Sequence, residues 1–236
     1  MAAKRVAIIP ARGGSKRIPQ KNVKEFCGKP MIAWSIEAAL ESNCFDQVIV
    51  TTDDEDIADV ARRHGASVPF LRPAELSGDY VGTLPVIRHA VEWLQDNGMP
   101  VDYACCLYAT APFVTAATLR EGWDLIQRND CSYAFSVTSY AFPIQRAIRI
   151  TESGRVAMFY PENFNARSQD LEEAWHDAGQ FYWGTKAAWL SELPIFGEDS
   201  VPVKLPRDWV QDIDTPEDWS RAEWLLRAMQ AQKSGE

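Results

Sequence analysis

The feature that most constrains the fold of this chain is the alternation of short apolar runs with amphipathic segments up to about residue 140. The apolar runs have the length of buried strands, and the segments between them repeat their apolar residues at helical spacing. Alternating strands and helices indicate a parallel sheet with right-handed crossovers. We therefore predict an α/β fold with a mostly parallel central sheet and helices on both faces. The predicted strands are RVAII from Arg5, QVIV from Gln47, SVPFL from Ser67, YACCLY from Tyr103 and YAFSV from Tyr133.

Capping residues mark the boundaries of the predicted helices. Asp53 or Asp54 can cap a helix that stops at Gly65. Thr215 and Pro216 suit the N-cap and the first position of a C-terminal helix. The other predicted helices begin near Pro30, cover Thr83 to Gln95, and extend from about Thr115 to Gln127.

The pattern changes after Phe142. The stretch QRAIRITESGRVAM predicts a hairpin that turns at residues 152–154, and a polar stretch without periodicity follows it. Loops of this length are usually functional or bind partners, so we interpret residues 142–178 as an insertion. Strands return in GQFYWG and VPVKL. At 236 residues, the chain is predicted to form one domain, 1–236, that carries this insertion.

Charge and hydropathy exclude several classes of protein. A net charge of -9 and a pI near 4.9 argue against a nucleic-acid partner, which needs broad phosphate neutralisation. No apolar run approaches the ~20 residues of a membrane span, so we expect no membrane insertion. Without a signal-peptide pattern, a cytoplasmic location is expected. The five cysteines are odd in number and lack CxxC spacing, which indicates structural thiols.

One loop is strongly basic although the whole chain is acidic. PARGGSKRIPQKN, residues 10–22, follows the first predicted strand, where open α/β sheets bind phosphate groups. Gly13 and Gly14 allow backbone N–H groups to approach an anion, and Arg12, Lys16 and Lys21 supply positive charge. The loop therefore predicts a triphosphate site, although it matches neither GxxxxGK[ST] nor GxGxxG. The alternative is a solvated turn without a ligand.

Two groups of acidic residues are candidates for a metal site. Asp212 and Asp214 have the i, i+2 spacing that places both carboxylates on one face of an extended segment. A hard divalent cation beside phosphate groups needs such oxygen ligands. Asp214 could instead cap the following helix. We interpret the run DDED, residues 53–56, as a helix N-terminus, where acidic side chains favour the helix dipole.

Several segments resemble one enzyme family. PARGGSKRIPQKN, FCGKPMIAWSIEAAL, VIVTTDD, FLRPAELS and QDIDTPEDW are similar to segments of the cytidylyltransferases that make CMP-linked nonulosonic acids. YATAPF, RSQDLEEAWHDAGQFYW and the overall length are most similar to the pseudaminic acid branch of that family. The resemblance covers most of the chain. It implies a three-layer Rossmann-like nucleotidyltransferase fold, a Mg2+ cofactor, and conversion of CTP and pseudaminic acid to CMP-pseudaminic acid and pyrophosphate.

The resemblance also implies roles for individual residues. Asp212 and Asp214 would bind Mg2+. Arg72 would help to recognise cytosine, although its residue type alone suggests a surface arginine. Thr83 and Thr110 would hydrogen-bond the nucleotide or the sugar, unless they are helix caps or turn residues. The implied catalytic group is Arg12, Lys16, Lys21, Asp212 and Asp214, and further nucleotide contacts are Ala11, Gly13, Ser15 and Asn22.

The sugar side departs from the enzymes that activate ordinary sialic acid. Those enzymes have glutamine and proline where this chain has Tyr108 and Ala109, and arginine where it has His176. An aromatic ring at Tyr108 suits a less hydroxylated sugar, and Phe181 would extend this apolar wall unless it belongs to the core. Arg167 would pair with the carboxylate of the sugar.

The sequence leaves alternatives open for the general base, the acceptor sugar and the class of protein. The general base is His176, Asp212 or a metal-bound hydroxide. Other acceptors are sialic acid, legionaminic acid and, more distantly, 3-deoxy-octulosonate. A catalytically silent nucleotide-sugar binding module is the alternative from a different class. In the similar enzymes an arm from the region of residues 142–178 reaches a second subunit, so a homodimer is expected here.

Overall fold

The computed structural model describes residues 3–234, which contain ten strands and six α-helices. The strands are β1 (Arg5–Pro10), β2 (Glu25–Phe26), β3 (Lys29–Pro30), β4 (Gln47–Thr51), β5 (Tyr103–Leu107), β6 (Tyr133–Ser139), β7 (Ile148–Ile150), β8 (Val156–Met158), β9 (Trp175–Thr185) and β10 (Ser200–Lys204). The helices are α1 (Met31–Ser42), α2 (Glu55–Arg63), α3 (Thr83–Asp96), α4 (Ala116–Asn129), α5 (Lys186–Leu190) and α6 (Pro216–Ser234).

Six of the strands form the central sheet, in the order β10-β6-β9-β5-β1-β4. β1 is parallel to β4 and β5, and β10 is parallel to β6. Only β9 runs antiparallel to its neighbours within this sheet. The prediction of a mostly parallel sheet is therefore confirmed. From β1 the chain reaches β4 on one side and later β5 on the other, so a crevice forms at the carboxyl ends of β1 and β5.

Helices cover both faces of the sheet and create its core. Apolar residues of α1, α2 and α4 pack against one face, and those of α3 and α5 pack against the other. A third cluster joins α6 to the segment before α1, where the rings of Phe26 and Trp219 meet edge to face at 5.2 Å. No helix within residues 3–234 combines the length and the apolar character that crossing a membrane would need.

Local signals explain where the helices begin. The side chain of Asp54 accepts a hydrogen bond from the Ile57 N–H at the start of α2, as the acidic run DDED predicts. Thr115 and Thr118 form a capping box at the start of α4. α1 follows Pro30 and ends at Asn43, whose φ of 54° terminates the helix in the left-handed region.

Several elements differ from the sequence prediction, among them the two-residue strands β2 and β3, which were not predicted. SVPFL forms only isolated bridges, at Ser67 and Leu71, instead of a strand. Pro69 lies in the middle of this segment and has no N–H to donate to a ladder. The short helix α5 was not predicted, because five residues are too few to show helical periodicity.

The predicted insertion corresponds to the segment between β6 and β9, residues 140–174. It contains the predicted hairpin, β7 and β8, which turns through Gly154 with φ of 72°. The last four residues assigned to the insertion, 175–178, instead belong to β9. Large apolar side chains on this arm are exposed, namely Phe142, Ile148, Ile150, Val156, Phe159 and Phe164.

Candidate active site

A cleft opens at the carboxyl ends of β1 and β5, where the sheet topology creates a crevice. Most of its walls come from three segments: the loop after β1, the residues before and within α3, and the residues after β5. Asp214, just before α6, lines it from the far end of the sequence. The predicted site residues that line the cleft are Arg12, Ser15, Lys16, Lys21, Asn22, Arg72, Thr83, Tyr108, Thr110 and Asp214.

The cations of the basic loop are held by two carboxylates. Arg12 Nη1 lies 2.5 Å from Asp79 Oδ1, and Lys16 Nζ pairs with the other oxygen of Asp79. Hydrogen bonds from Lys16, and then from Arg12, lower the pKa of Asp79. Arg17 Nη2 lies 2.8 Å from Asp214 Oδ2. An anion can therefore be bound at two places along this loop.

Lys21 connects the basic loop to the C-terminal part of the chain. Its Nζ donates to the Ile213 carbonyl at 2.6 Å and lies 3.5 Å from Asp214 Oδ1. Only 19% of the Lys21 side chain is exposed, so this charge is less screened than that of Lys16, which is 78% exposed. Lys21 and Asp214 form the least exposed charge pair of the basic loop.

Residues around Gly13 give the loop its shape. The Gly13 N–H donates to Asp53 Oδ1 at 3.0 Å, and Asn22 Nδ2 donates to the Arg12 carbonyl at 2.9 Å. A Cβ on Gly13 would lie 2.5 Å from Asp54 Oδ2, so only glycine fits against the start of α2. Ala11 is buried and donates from its N–H to the Thr51 carbonyl. Within the described structure, Ala11, Gly13 and Asn22 thus contribute to the loop's conformation.

Arg72 is a buried arginine at the wall of the cleft and not the surface residue that its type suggests. Its side chain is 4% exposed and lies 3.6 Å from Asp53 Oδ1. Its Nε donates to Ser77 Oγ at 3.3 Å. Burial lowers the pKa of Arg72, and the negative charge of Asp53 opposes this effect. Asp53 therefore supports both Arg72 and the basic loop.

Asp212 and Asp214 flank the buried Ile213. Asp214 lines the cleft, whereas Asp212 does not, although it lies within electrostatic range of Asp214. Partial desolvation, and then the negative charge of Asp214, raise the pKa of Asp212. Two carboxylates that disfavour each other's charge are suited to a divalent cation between them. No cluster of three or more His, Cys, Asp or Glu side chains that could hold a metal occurs in the described residues. Two protein ligands with phosphate oxygens and water suit Mg2+.

Tyr108 and Thr83 line the cleft together with the basic loop. Their hydroxyl groups are 3.0 Å apart, and the Tyr108 ring lies 5.3 Å from the ring of Tyr182. Burial is the main cause that raises the pKa of Tyr108, so its hydroxyl stays protonated at neutral pH. Thr110 follows β5 and lines the same cleft.

Three predicted sugar contacts do not line this cleft. Phe181 is completely buried in the core beside α4, as the alternative interpretation had it. Arg167 lies on the arm, where its guanidinium makes two hydrogen bonds, of 2.7 and 3.1 Å, to Asp170. The Nδ1 of His176 lies 2.8 Å from the Asp177 carbonyl, and its ring meets Tyr140 at the base of the arm.

Sequence reasoning missed several residues around the cleft. Asp79 lies in the segment SGDYVG, whose sequence gives no sign that it folds back onto the basic loop. Asp53 was assigned only to a helix N-terminus. Tyr182 was hidden in an apolar strand pattern, and its hydroxyl donates to Asp177 Oδ2 at 2.6 Å. The only sign of Tyr182 in the sequence is that a residue with a hydroxyl group stands in an otherwise apolar strand pattern.

The fold and the site together define an α/β nucleotidyltransferase: a cationic loop after the first strand contacts Asp214 at the crevice of a mostly parallel sheet. Comparison with known proteins agrees with this class. The family model described as cytidylyltransferase matches residues 6–196, and the chain belongs to this family.

Individual relatives refine the comparison. The chain is 46% identical to a pseudaminic acid cytidylyltransferase of Campylobacter jejuni, over 95% of this chain and 97% of that protein. It is 33% identical to a CMP-N,N'-diacetyllegionaminic acid synthase of Legionella pneumophila, over 95% and 97% of the two chains. The fold is similar to that of a CMP-2-keto-3-deoxy-manno-octonic acid synthetase complexed with CTP, with a TM-score of 0.69, 17% identity, and coverage of 98% and 100%.

Proposed function

We propose that this chain transfers a cytidylyl group from CTP to pseudaminic acid, which gives CMP-pseudaminic acid and pyrophosphate. The observation that carries the proposal is the 46% identity to the Campylobacter jejuni enzyme across 95% of this chain. The legionaminic acid relative supports the same type of reaction on a related sugar. All five cysteines are free thiols, which suits the reducing cytoplasm that we propose as the setting.

In this proposal the basic loop holds the triphosphate of CTP. Arg12 and Lys16 already share one carboxylate, that of Asp79, so their geometry suits an anion placed between them. A phosphate group carries more charge and more acceptor oxygens than a carboxylate, and would bind both cations. Ser15 would add a hydroxyl contact. The buried Arg72 would contribute to recognition of the base.

We also propose that Asp212 and Asp214 hold Mg2+. When bound, the ion would add positive charge at the phosphate oxygens. Arg17 and Lys21 now neutralise Asp214. With the aspartates neutralised by a metal, these two cations would be available to the triphosphate.

The chemistry requires one bond to form and one to break. The anomeric oxygen of the sugar joins the α-phosphorus, and the bond from that phosphorus to the oxygen bridging to the β-phosphate breaks. Pyrophosphate leaves with this oxygen, and the cationic loop stabilises the developing charge. Asp212 is one candidate for the base that takes the hydroxyl proton.

His176 is the second candidate for the base. Because a carbonyl oxygen only accepts, the Nδ1 that lies 2.8 Å from the Asp177 carbonyl carries the ring proton. The lone pair of the neutral ring is then on Nε2. His176 does not line the cleft. In this role either the sugar would extend to His176, or the base of the arm would move toward the sugar.

The sugar side of the proposed site combines residues of the cleft and of the arm. Tyr108 and Thr110 line the cleft and would contact the sugar from the same chain. Arg167 lies on the exposed arm, so we propose that it reaches the sugar bound by a second copy of the chain. The exposed apolar side chains of the hairpin support a homodimer, because monomeric proteins rarely expose a large contiguous apolar patch.

Changing one apolar residue of the hairpin tests the dimer. Ile150→Asp should shift the protein from dimer to monomer in sedimentation equilibrium and lower activity. Trp224→Asp on α6 is the matched control, because Ile150 and Trp224 are both 68% exposed. A fully active wild-type monomer at micromolar concentration would contradict the proposal.

An acceptor panel tests the substrate. Purified protein with CTP and Mg2+ is incubated with pseudaminic, legionaminic, N-acetylneuraminic and 3-deoxy-octulosonic acids, and pyrophosphate release is measured. We expect release with pseudaminic acid well above the others. Release with N-acetylneuraminic acid alone would overturn the substrate but keep the reaction class. CTP binding without release for any acceptor would favour a silent binding module.

A further inference from the structure

The segment that carries the aspartate pair has no regular secondary structure of its own. Residues 210–214 form neither helix nor strand, and the short 3-10 helix before them ends at Trp209. The positions of Asp212 and Asp214 therefore depend on contacts that other elements make with this segment. Such contacts occur on both sides of the pair.

Contacts on the C-terminal side come from α6 and from the basic loop. Asp218, in the first turn of α6, accepts from the Asp214 N–H at 3.2 Å and from Gln211 Nε2 at 3.3 Å. The same Gln211 amide donates to the Asp212 carbonyl at 2.7 Å. Lys21 of the basic loop donates to the carbonyl between the two aspartates. These contacts fix the backbone, whereas the Asp212 carboxylate accepts no hydrogen bond within the described residues.

Gln180 of β9 makes a contact on the N-terminal side, and this contact reaches the sheet. The Gln180 side chain is buried, and its Nε2 donates to the Trp209 carbonyl at 2.6 Å. In the part of the chain that the structure describes, no other hydrogen bond joins residues 207–214 to a strand of the central sheet. Gln180 Oε1 has no protein partner there, so the bond to Trp209 is the one hydrogen bond of this amide.

A bulge in β9 fixes the backbone of Gln180. The pairing of β9 with β6 shifts register here, and Ser136 Oγ accepts from the N–H groups of Gln180 and Phe181 at 3.3 and 3.2 Å. The Gln180 carbonyl accepts from the Tyr108 N–H at 2.9 Å, and Tyr108 lines the cleft. Gln180 therefore joins the proposed sugar side of the cleft to the segment that carries the aspartates.

We infer that Gln180 is a positioning residue that holds Asp212 where it can share one divalent cation with Asp214. This inference rests on the proposed function, which assigns the two aspartates to Mg2+. Mg2+ demands near-ideal octahedral geometry, so its affinity depends on where each carboxylate lies. Gln180 acts through the Trp209 carbonyl and touches neither the metal nor a substrate. Without this bond, the segment before Asp212 would lose its link to the sheet.

Gln180→Met tests the inference. Methionine keeps the length of the side chain but cannot donate to the Trp209 carbonyl. Mn2+ serves as the probe, and its binding to the protein–CTP complex without sugar is followed by electron paramagnetic resonance, with CTP below the protein concentration. We expect the affinity for Mn2+ to fall about tenfold, whereas the affinity for CTP in EDTA should stay unchanged. Equal Mn2+ affinities in variant and wild type would overturn the inference.

Gln145→Met is the matched control. Gln145 Nε2 also donates to a backbone carbonyl, that of Glu172 at 2.9 Å, and its Oε1 has no partner among residues 3–234 either. Gln145 lies on the arm and does not line the cleft. Its substitution removes the same chemical group, so the Mn2+ affinity should stay at the wild-type value. Equal losses of Mn2+ affinity in both variants would overturn the inference.

A double-mutant cycle shows whether Gln180 acts through Asp212. Asp212→Asn should by itself lower the affinity for Mn2+. Adding Gln180→Met should then change the affinity little, because the carboxylate that Gln180 positions has been removed. Additive effects of the two substitutions would overturn the inference.

The sugar side provides a comparison within the same variant. The Gln180 carbonyl that accepts from Tyr108 belongs to the backbone, so Gln180→Met keeps this bond. The Mg2+ concentration that gives half-maximal activity should therefore rise, while the KM of the sugar at saturating Mg2+ stays unchanged. A lower melting temperature with all affinities reduced together would assign Gln180 a merely structural role and overturn the inference.

Turnover and metal binding separate this inference from the proposed function. If the wild type releases no pyrophosphate with any sugar of the panel, the proposed function fails, and the Mn2+ titrations still decide the role of Gln180. If the wild type turns over and Gln180→Met binds Mn2+ as the wild type does, the inference alone fails. Mn2+ binding to the wild-type complex that is no tighter than to free CTP would overturn the metal assignment and the inference together.

Discussion

At Asp214 one carboxylate contacts two cations of a loop that lies almost at the other end of the sequence. These contacts are half-exposed, so each contributes at most about 1 kcal/mol to folding. The same carboxylate is proposed to bind Mg2+, where one removed charge often lowers the rate by about two to three orders of magnitude. The effect on activity should therefore exceed the effect on stability by far.

Asp214→Asn should lower pyrophosphate release about 100-fold to 1000-fold and leave the melting temperature almost unchanged. The measurement is steady-state release alongside thermal unfolding. Asp124→Asn is the control, because its ion pair with Arg128, at 3.8 Å, lies on the exposed side of α4. Full activity in Asp214→Asn would show that the metal assignment is wrong.

At the scale of elements, the segment between Arg72 and α3 acts on the basic loop through Asp79. This segment, residues 77–82, has glycine at 78 and 82 and a fully exposed Tyr80. Asp79 accepts hydrogen bonds from Arg12 and Lys16, the same two cations that would bind the triphosphate in the proposed function. Nucleotide binding must therefore displace the Asp79 carboxylate from Arg12 and Lys16.

Asp79→Asn should lower the KM for CTP by up to about fivefold, since an exposed ion pair competes only weakly with the nucleotide. The KM is obtained from initial rates at saturating sugar. Asp59→Asn, whose partner Arg62 lies on the exposed side of α2, serves as the control. A higher KM for CTP in Asp79→Asn would mean that Asp79 instead orients the cations for the phosphates.

Helix α4 packs closely against the sheet at Gly122. A Cβ at Gly122 would lie 2.7 Å from Trp183 Cδ1 and 2.9 Å from Phe181 Cε2. Alanine would favour the helix by about 1 kcal/mol, but overpacking a core costs about 1 to 3 kcal/mol. The packing cost should exceed the helix gain, because both neighbours are rings fully buried in the core.

Gly122→Ala should therefore reduce the free energy of unfolding by about 1 kcal/mol in urea titrations. Gly197→Ala is the control, because the nearest atom to its Cβ would be 3.6 Å away, an ordinary contact. Unchanged or higher stability in Gly122→Ala would mean that α4 can move outward without loss.

For the whole molecule, buried tyrosines make stability depend on alkaline pH. Burial raises the pKa of Tyr133 to about 12, and the pKa values of Tyr108 and Tyr182 are raised as well. The folded pKa lies above the unfolded value of about 10. The associated stability is therefore complete below pH 10 and is lost as pH rises through the folded pKa.

The free energy of unfolding should fall by up to about 3 kcal/mol between pH 10 and 12 through Tyr133 alone, at about 1.4 kcal/mol per pKa unit. Urea unfolding at a series of pH values gives the slope. Tyr133→Phe should be less stable at pH 8, because it loses the hydrogen bond to the Leu193 carbonyl, and should show a shallower decline. Equal slopes in variant and wild type would refute this account.

Much of this architecture could be predicted from the sequence because its signals are local. The helix caps at Asp54 and Thr115 and the basic loop after β1 each depend on a few adjacent residues. The bulge in β9 could not be predicted, because it needs Ser136 of another strand to accept from two N–H groups. The contact of Asp79 with Arg12 was equally hidden, since it joins positions 67 residues apart without a pattern in either segment.

Lys21 and the Ile213 carbonyl meet across 192 positions of the chain. A growing polypeptide that has left the ribosome only as far as α5 carries the basic loop without the aspartates that face it. Sugar activation by this protein can therefore start only after Asp212 and Asp214 have been synthesised. Any premature stop codon before Asp212 removes the acidic half of the site, however much of the sheet remains.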